Sequence, residues 1–110
     1  MKDKMLQEFV RVYGDSEGTN CFFAPGRVNL IGEHTDYNGG FVFPAAISQS
    51  SEIILRQTSD GKIKLAATDL PDRPVLEISD LGAYKGLKWG NYQAGVAYVL
   101  QQAGYEISSC

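Results

Sequence analysis

Turn-forming residues interrupt the middle of this chain so often that only short regular elements fit between them. Pro25-Gly26, Asn38-Gly39-Gly40 and Asp60-Gly61 separate short apolar runs. Paired proline and glycine mark loops, and Asn-Gly and Asp-Gly favour tight turns because both central positions tolerate a positive φ. Short apolar runs between such turns predict strands. With a helical pattern at each end, we expect a mostly antiparallel sheet with flanking helices, which is an α+β arrangement.

Apolar residues at helical spacing predict a helix over 3–13, with Gly14 as its C-terminal cap. The same spacing predicts a second helix that follows Trp89-Gly90-Asn91 and ends at Gly104. Strands are predicted over 20–24, 41–43, 51–58, 62–67 and 75–79. We expect the first to be buried and to end at Pro25-Gly26, and Asp60-Gly61 to join the third and fourth as a hairpin.

Composition narrows the class of protein. The chain has 110 residues, of which 44% are hydrophobic and 21% charged, as is usual for one soluble globular domain. A net charge of -3 with 10 basic residues gives no basic stripe, so no nucleic-acid partner is expected. The apolar runs are too short to span a bilayer, so no membrane partner is expected. The opening residues Met1-Lys2-Asp3-Lys4 do not resemble a signal peptide.

The two cysteines, Cys21 and Cys110, form neither a disulfide framework nor a metal-binding spacing. A reducing, cytoplasmic location is therefore expected. Since Ser108-Ser109-Cys110 follows a helix and a turn without a closing element, we also expect the chain to be truncated.

One segment concentrates the polar chemistry. Within twelve positions, between two apolar strands, lie Arg27, Asn29, Glu33, His34, Asp36 and Asn38. Carboxylates accept several charge-assisted hydrogen bonds, which suits the adjacent hydroxyls of a sugar. The alternative interpretation is that Glu33, Thr35 and Asp36 are solvated loop residues. His34 is the only histidine and has no second ligand at a suitable spacing, so no metal site is predicted. The glycines match neither phosphate-binding pattern.

Residues 24–47, with Gly26-Arg-Val-Asn-Leu-Ile-Gly-Glu-His-Thr-Asp-Tyr-Asn-Gly-Gly40 at their centre, closely resemble the galactokinase signature of the GHMP small-molecule kinases. The resemblance implies that the chain, 1–110, is a partial N-terminal domain of an ATP-dependent enzyme that phosphorylates the C1 hydroxyl of galactose. The relative that phosphorylates N-acetylgalactosamine shares part of the signature, but Thr35 and Asn38-Gly39 resemble the galactose version.

The resemblance also implies residue roles. Glu33, His34 and Asp36 would bind the sugar hydroxyls, and Arg27 would steady charge on the transferred phosphoryl group and lower the pKa of the catalytic base. Tyr37, Asn38 and Gly39 would shape the loop. Trp89 and Tyr92 would face the adenine of ATP, with a plain core role as the alternative for both.

The family's phosphate loop, catalytic aspartate and C-terminal domain do not occur before Cys110, so ATP and Mg²⁺ would be held mostly by residues outside this chain. We therefore expect the isolated chain to be inactive, because phosphoryl transfer depends on positioning and charge stabilisation. Two rival hypotheses are a non-catalytic galactose-sensing module and a structural fragment that self-associates through exposed apolar surface.

Overall fold

The computed structural model describes residues 2–83 and 86–110, and its elements fall into two units. The first unit comprises Met1–Thr19 and Leu55–Cys110, and the second comprises Asn20–Ile54. Both predicted helices are confirmed and belong to the first unit. Helix α1 spans Lys2–Tyr13 and helix α2 spans Gly90–Gln102. Each ends as predicted, because Gly14 donates its backbone N–H to Val10 O at 2.8 Å and Gly104 donates to Gln101 O at 3.0 Å.

The first unit also contains two short strands. Strand β3, Lys62–Lys64, pairs antiparallel with β4, Val75–Glu77, so that Ile63 lies opposite Leu76. The strand predicted over 75–79 therefore ends early, because a 3₁₀ segment over Ile78–Ala83 follows it. On the other side of β3, Lys64 N–H donates to Cys110 O at 2.8 Å and Cys110 N–H donates to Lys62 O at 3.0 Å.

The predicted hairpin around Asp60-Gly61 is wrong. The carboxylate of Asp60 accepts from Lys62 N–H at 3.2 Å and from Thr58 Oγ1 at 3.0 Å, which closes a local turn. Strand β3 instead pairs with β4, and Ile63 and Leu76, which lie opposite each other in this pair, both belong to the core. Tertiary burial thus outweighs the turn signal.

The core lies entirely in the first unit. Its buried apolar residues are Ile63, Leu76, Leu81, Ala94 and Ala97. Because α2 contributes the two alanines, the helix can approach the β3–β4 strands and the 3₁₀ segment closely. Among the described residues, no helix is both long enough and apolar enough to cross a membrane.

The second unit is a two-stranded sheet. Strand β1 spans Thr19–Asn29 and pairs with β2, Pro44–Arg56. Three expectations need correction here. Pro25-Gly26 does not end β1, because every strand of a two-stranded sheet is an edge strand, where a proline is tolerated. Residues 41–43 belong to no strand, and β2 instead begins at Pro44. Strand 20–24 exists but is not buried, and no residue of 20–54 is buried.

Candidate functional site: the loop between β1 and β2

The loop that connects β1 to β2 contains Glu33, His34, Asp36 and Asn38 of the polar segment singled out from the sequence, whereas Arg27 and Asn29 lie in β1. Two backbone hydrogen bonds close the base of this loop. Leu30 N–H donates to Phe43 O at 3.0 Å, and Phe43 N–H donates to Ile31 O at 2.9 Å. The chain between these residues includes a 3₁₀ turn over Asp36–Asn38, followed by Gly39 in a left-handed conformation with φ 74°. The Asn38-Gly39 turn is therefore confirmed.

Thr35 is the hydrogen-bonding centre of the loop. Its hydroxyl lies 2.6 Å from Gly32 O and 2.8 Å from Phe41 O, so a single proton serves two carbonyl groups on opposite sides of the loop. Its backbone carbonyl accepts from Asn38 N–H at 3.2 Å and from Gly40 N–H at 2.7 Å. One side chain thus fixes the distance between the outgoing and returning segments.

Gly32 is required where the two segments meet. Its φ is +112°, and a Cβ added there would lie 2.7 Å from Phe41 O and 2.8 Å from Val42 Cα. L-residues with a side chain avoid this conformation, and here the backbone also leaves no space for one. Gly32 therefore allows the outgoing and returning segments of the loop to lie this close together.

His34 occupies a rare backbone conformation, with φ +60°. Such a residue costs of the order of 1–3 kcal/mol and persists when its surroundings hold it in place. Here the side-chain amide of Asn38 donates to His34 O at 2.7 Å, and the hydroxyl of Tyr37 contacts the imidazole Nδ1. The two rings meet edge to face, with centroids 5.7 Å apart. Asn38 and Tyr37 therefore shape the loop, and Nε2 is the ring nitrogen left for a ligand.

Three predicted site residues keep their polar groups available. Arg27 lies in β1, while Glu33 and Asp36 lie in the loop, and all three are exposed. Throughout 2–83 and 86–110, no hydrogen bond or ion pair involves any of these three side chains. In contrast, Asn29 Oδ1 is buried and has no partner among the described residues. The loop therefore combines a hydrogen-bonded backbone with charged side chains that are free to bind.

Comparisons with known proteins show which proteins have a similar sequence. A family model described as the galactokinase galactose-binding signature matches residues 7–57. The galactokinase of Lactococcus lactis subsp. cremoris (strain MG1363) is 44% identical over 105 residues, which cover 94% of this chain and 26% of that protein. The galactokinase of Bacillus subtilis (strain 168) is 41% identical over 109 residues, covering 97% and 28%. The chain is similar to galactokinases over nearly its whole length.

A solved structure supports the same assignment for the fold. The crystal structure of Lactococcus lactis galactokinase complexed with galactose matches with a TM-score of 0.89 and 39% identity, over 98% of this chain and 28% of that one. The chain thus spans about a quarter of the length of the galactokinases it matches. The α+β fold and the resemblance to an N-terminal galactokinase segment, both predicted from the sequence, are confirmed.

The two aromatic residues predicted to face adenine lie at the start of α2, in the first unit. Tyr92 is 80% exposed, so the core role considered as its alternative is wrong for this chain. Trp89 is half-buried, and its Nε1 is buried without a partner among the described residues. A contact of either ring with a nucleotide stays a prediction.

Mg²⁺ is usually held by one or two carboxylates together with waters and substrate phosphates. Among the described residues, no three His, Cys, Asp or Glu side chains converge on one point, so that part of the chain has no metal centre built from protein groups alone. The sequence also contains no glycine-rich phosphate loop.

The sequence did not predict the central role of Thr35, which was considered as a solvated loop residue and as a mark of the galactose kinases; the solvated alternative is wrong for Thr35, because its hydroxyl bonds Gly32 O and Phe41 O. The signal was present, because a threonine three residues after a glycine can bond the preceding carbonyl. The second acceptor, Phe41 O, could not be foreseen, since it depends on how the returning segment folds back.

Proposed function

We propose that the protein to which this chain belongs is a galactokinase, and that residues 27–38 form the part of its site that recognises galactose. The observation that supports this most directly is the combination of a fixed loop with unpaired Arg27, Glu33 and Asp36 side chains. The loop backbone that carries Glu33 and Asp36 is held by hydrogen bonds before binding, so it loses little entropy on binding, which favours specific recognition. The match of 7–57 to the galactose-binding signature agrees with it.

In the proposed complex, the carboxylates of Glu33 and Asp36 accept hydrogen bonds from galactose hydroxyls. His34 donates or accepts through Nε2, because its Nδ1 is engaged by Tyr37. Arg27 lies near the C1 hydroxyl, where its guanidinium stabilises negative charge on the transferred phosphoryl group. This charge-stabilising role makes Arg27 the one catalytic residue that we assign to this chain.

When bound, ATP supplies the γ-phosphoryl group that produces galactose 1-phosphate. We assign the adenine contact to Trp89 and Tyr92, and we assign Mg²⁺ to residues beyond the quarter of the galactokinase length that this chain spans. Since ATP is a cytoplasmic metabolite, the proposed location of the enzyme is the cytoplasm. We expect the 110-residue chain by itself to produce no galactose 1-phosphate above background when it is incubated with ATP, Mg²⁺ and galactose.

Galactose binding to the 110-residue chain can be tested by recording backbone amide NMR spectra during a titration. We expect shifts at Gly32–Gly40, and we expect Asp36→Asn to weaken the affinity at least about tenfold, because a charge-assisted hydrogen bond contributes roughly 1.5–3 kcal/mol. Asp69→Asn is the matched control, since Asp69 is an exposed aspartate in the first unit. A parallel titration with N-acetylgalactosamine tests which sugar is preferred.

The outcomes separate the two parts of the proposal. Galactose-dependent shifts that avoid 27–40, or an equal loss of affinity in both variants, would remove the sugar assignment. A wild-type chain that shows no shift at any galactose concentration would contradict binding by this loop alone. Formation of galactose 1-phosphate would overturn only the expectation that the chain is inactive.

A further inference from the structure

The contact between Tyr37 and His34 fixes more than the shape of the loop. Tyr37 is 71% exposed, so burial contributes little to its placement. Its ring meets the imidazole edge to face, with an angle of 78° between the ring planes, and its hydroxyl contacts Nδ1. Tyr37 therefore determines both the orientation of the imidazole and the partner of one of its two nitrogens.

The proton in this contact can be placed in two ways. A neutral imidazole has one N–H donor and one acceptor nitrogen, and a phenol hydroxyl can donate or accept. The unprotonated imidazole nitrogen is a stronger acceptor than a phenol oxygen, whose lone pair is delocalised into the ring. Donation from Tyr37 Oη to His34 Nδ1 is therefore the more stable arrangement. It leaves the imidazole proton on Nε2, because the hydrogen bond made by one ring nitrogen sets the protonation of the other.

A donor at Nε2 complements the two carboxylates of the loop. Glu33 and Asp36 can only accept hydrogen bonds when they are ionised. The hydroxyl proton of Thr35 is already used within the loop, where it serves two backbone carbonyls. A sugar hydroxyl carries one proton and two lone pairs, so a hydroxyl that donates to a carboxylate can still accept from an N–H. His34 Nε2–H would supply that second hydrogen bond.

We propose that Tyr37 is a positioning residue for galactose binding, which holds His34 in the tautomer that donates from Nε2 to a sugar oxygen. The inference rests on the proposed function, since it takes galactose as the ligand of this loop. Without the Tyr37 hydroxyl, the proton is shared between both ring nitrogens, and fewer molecules present a donor at Nε2. The apparent affinity then falls in proportion to the population that is competent to bind.

NMR of the isotope-labelled ring nitrogens reads the tautomer directly, because His34 is the only histidine in the chain. At a pH where the imidazole is neutral, we expect its proton on Nε2. Tyr37→Phe keeps the aromatic ring and loses only the hydroxyl. It should raise the ratio of the Nδ1-protonated to the Nε2-protonated form about 2- to 10-fold, which is the contribution of one net hydrogen bond. Tyr105→Phe is the matched control, since Tyr105 is an exposed tyrosine of the first unit, and it should leave the ratio unchanged.

Adding galactose tests the donor role. We expect the Nε2-protonated form to persist in the complex, and we expect its proton to exchange with water more slowly once it bonds a sugar oxygen. The affinity of Tyr37→Phe for galactose should fall with the population of the Nε2-protonated form. Unchanged amide signals of Gly40 and Phe43 show that the loop of this variant keeps its shape. If the loop opens, the wild-type ring spectra with and without galactose decide on their own.

A wild-type ring protonated on Nδ1 would overturn the proposal, and so would the same tautomer ratio in Tyr37→Phe as in the wild type. A switch to the Nδ1-protonated form on binding would also overturn it, because Nε2 would then accept. The possible failures are distinguishable. If galactose binds this loop but the ring spectra do not depend on Tyr37, only this inference is wrong. If the wild type does not bind galactose, the proposed function is wrong, and this inference with it.

Discussion

Replacing Thr35 by valine should raise the population of the opened loop between β1 and β2, while the volume of the side chain stays nearly the same. Valine keeps the branched shape of threonine but lacks the hydroxyl group. The substitution removes the donor at 2.6 Å from Gly32 O and 2.8 Å from Phe41 O. It leaves untouched the backbone carbonyl of Thr35, which accepts from Asn38 and Gly40.

The size of the effect follows from these contacts. The hydroxyl has one proton, so the two carbonyls share the equivalent of one hydrogen bond, which contributes about 0.5–1.5 kcal/mol net. The bond to Gly32 O is partly buried, so leaving that carbonyl without a donor adds to the cost. We expect a total of about 1–2 kcal/mol, which raises the population of the opened loop about 5- to 30-fold.

Amide hydrogen exchange measures this population directly. The informative groups are Gly40 N–H, bonded to Thr35 O at 2.7 Å, and Phe43 N–H, bonded to Ile31 O at 2.9 Å. Both should exchange 5- to 30-fold faster in Thr35→Val, by the same estimate of about 1–2 kcal/mol. The matched control is Thr19→Val, because the hydroxyl of Thr19 donates to a single nearby carbonyl, Ser16 O, at 2.8 Å.

An unchanged exchange rate at Gly40 in Thr35→Val would refute the role given to this hydroxyl. It would mean that the backbone bonds and the glycine conformations are sufficient to hold the loop. An equal acceleration in Thr19→Val would also refute it, since the effect would then follow from any lost threonine hydroxyl.

Two further predictions concern the first unit. Leu76→Ala should lower the free energy of unfolding by about 2–5 kcal/mol in urea titrations, because Leu76 is fully buried. Val75→Ala is the control, and it should lower the free energy of unfolding far less, because Val75 is exposed. The pKa of Asp60 is lowered from 3.8 to about 2, chiefly by its hydrogen bond with Lys64. The carboxylate is thus favoured in the folded state, so its stabilisation is present above pH 3.8 and is lost as the pH falls through about 2. The difference in unfolding free energy between wild type and Asp60→Asn should therefore shrink over that interval, and a constant difference would contradict this account.

The sequence predicts the local elements of the fold better than their partners. Both helices follow from apolar spacing and a terminal glycine, which act within a few residues. The pairing of β3 with β4 does not follow from such local signals. Asp60-Gly61 has the composition of a hairpin turn, whereas the burial of Ile63 against Leu76 favours β4 as the partner strand. Burial of 20–24 was also wrongly predicted. The apolar composition of a strand shows that burial would be favourable, but it does not show which other segment would bury the strand.

For the candidate site, the residue types and their order predict a sugar as the ligand, and the chain fold determines which of these side chains are exposed and unpaired. Glu33, His34 and Asp36 are on one loop as expected, and their sugar-binding roles stay predictions. The sequence does not reveal that His34 adopts a positive φ, or that Tyr37 engages its Nδ1. Both depend on the turn over Asp36–Asn38, which sets side chains three residues apart against each other.

The separation of the core from the loop has a consequence for ligand binding. The first unit has buried apolar residues, whereas 20–54 has none, so the loop depends on hydrogen bonds around Thr35 and His34 for its shape. Hydrogen bonds near solvent contribute little net energy, and a loop held by them opens more readily than a core does. A ligand that binds only the closed loop stabilises it in proportion to the logarithm of its concentration. Galactose should therefore slow exchange at Gly40 and leave exchange in α2 unchanged, whereas an equal effect on both would mean that the two units open together.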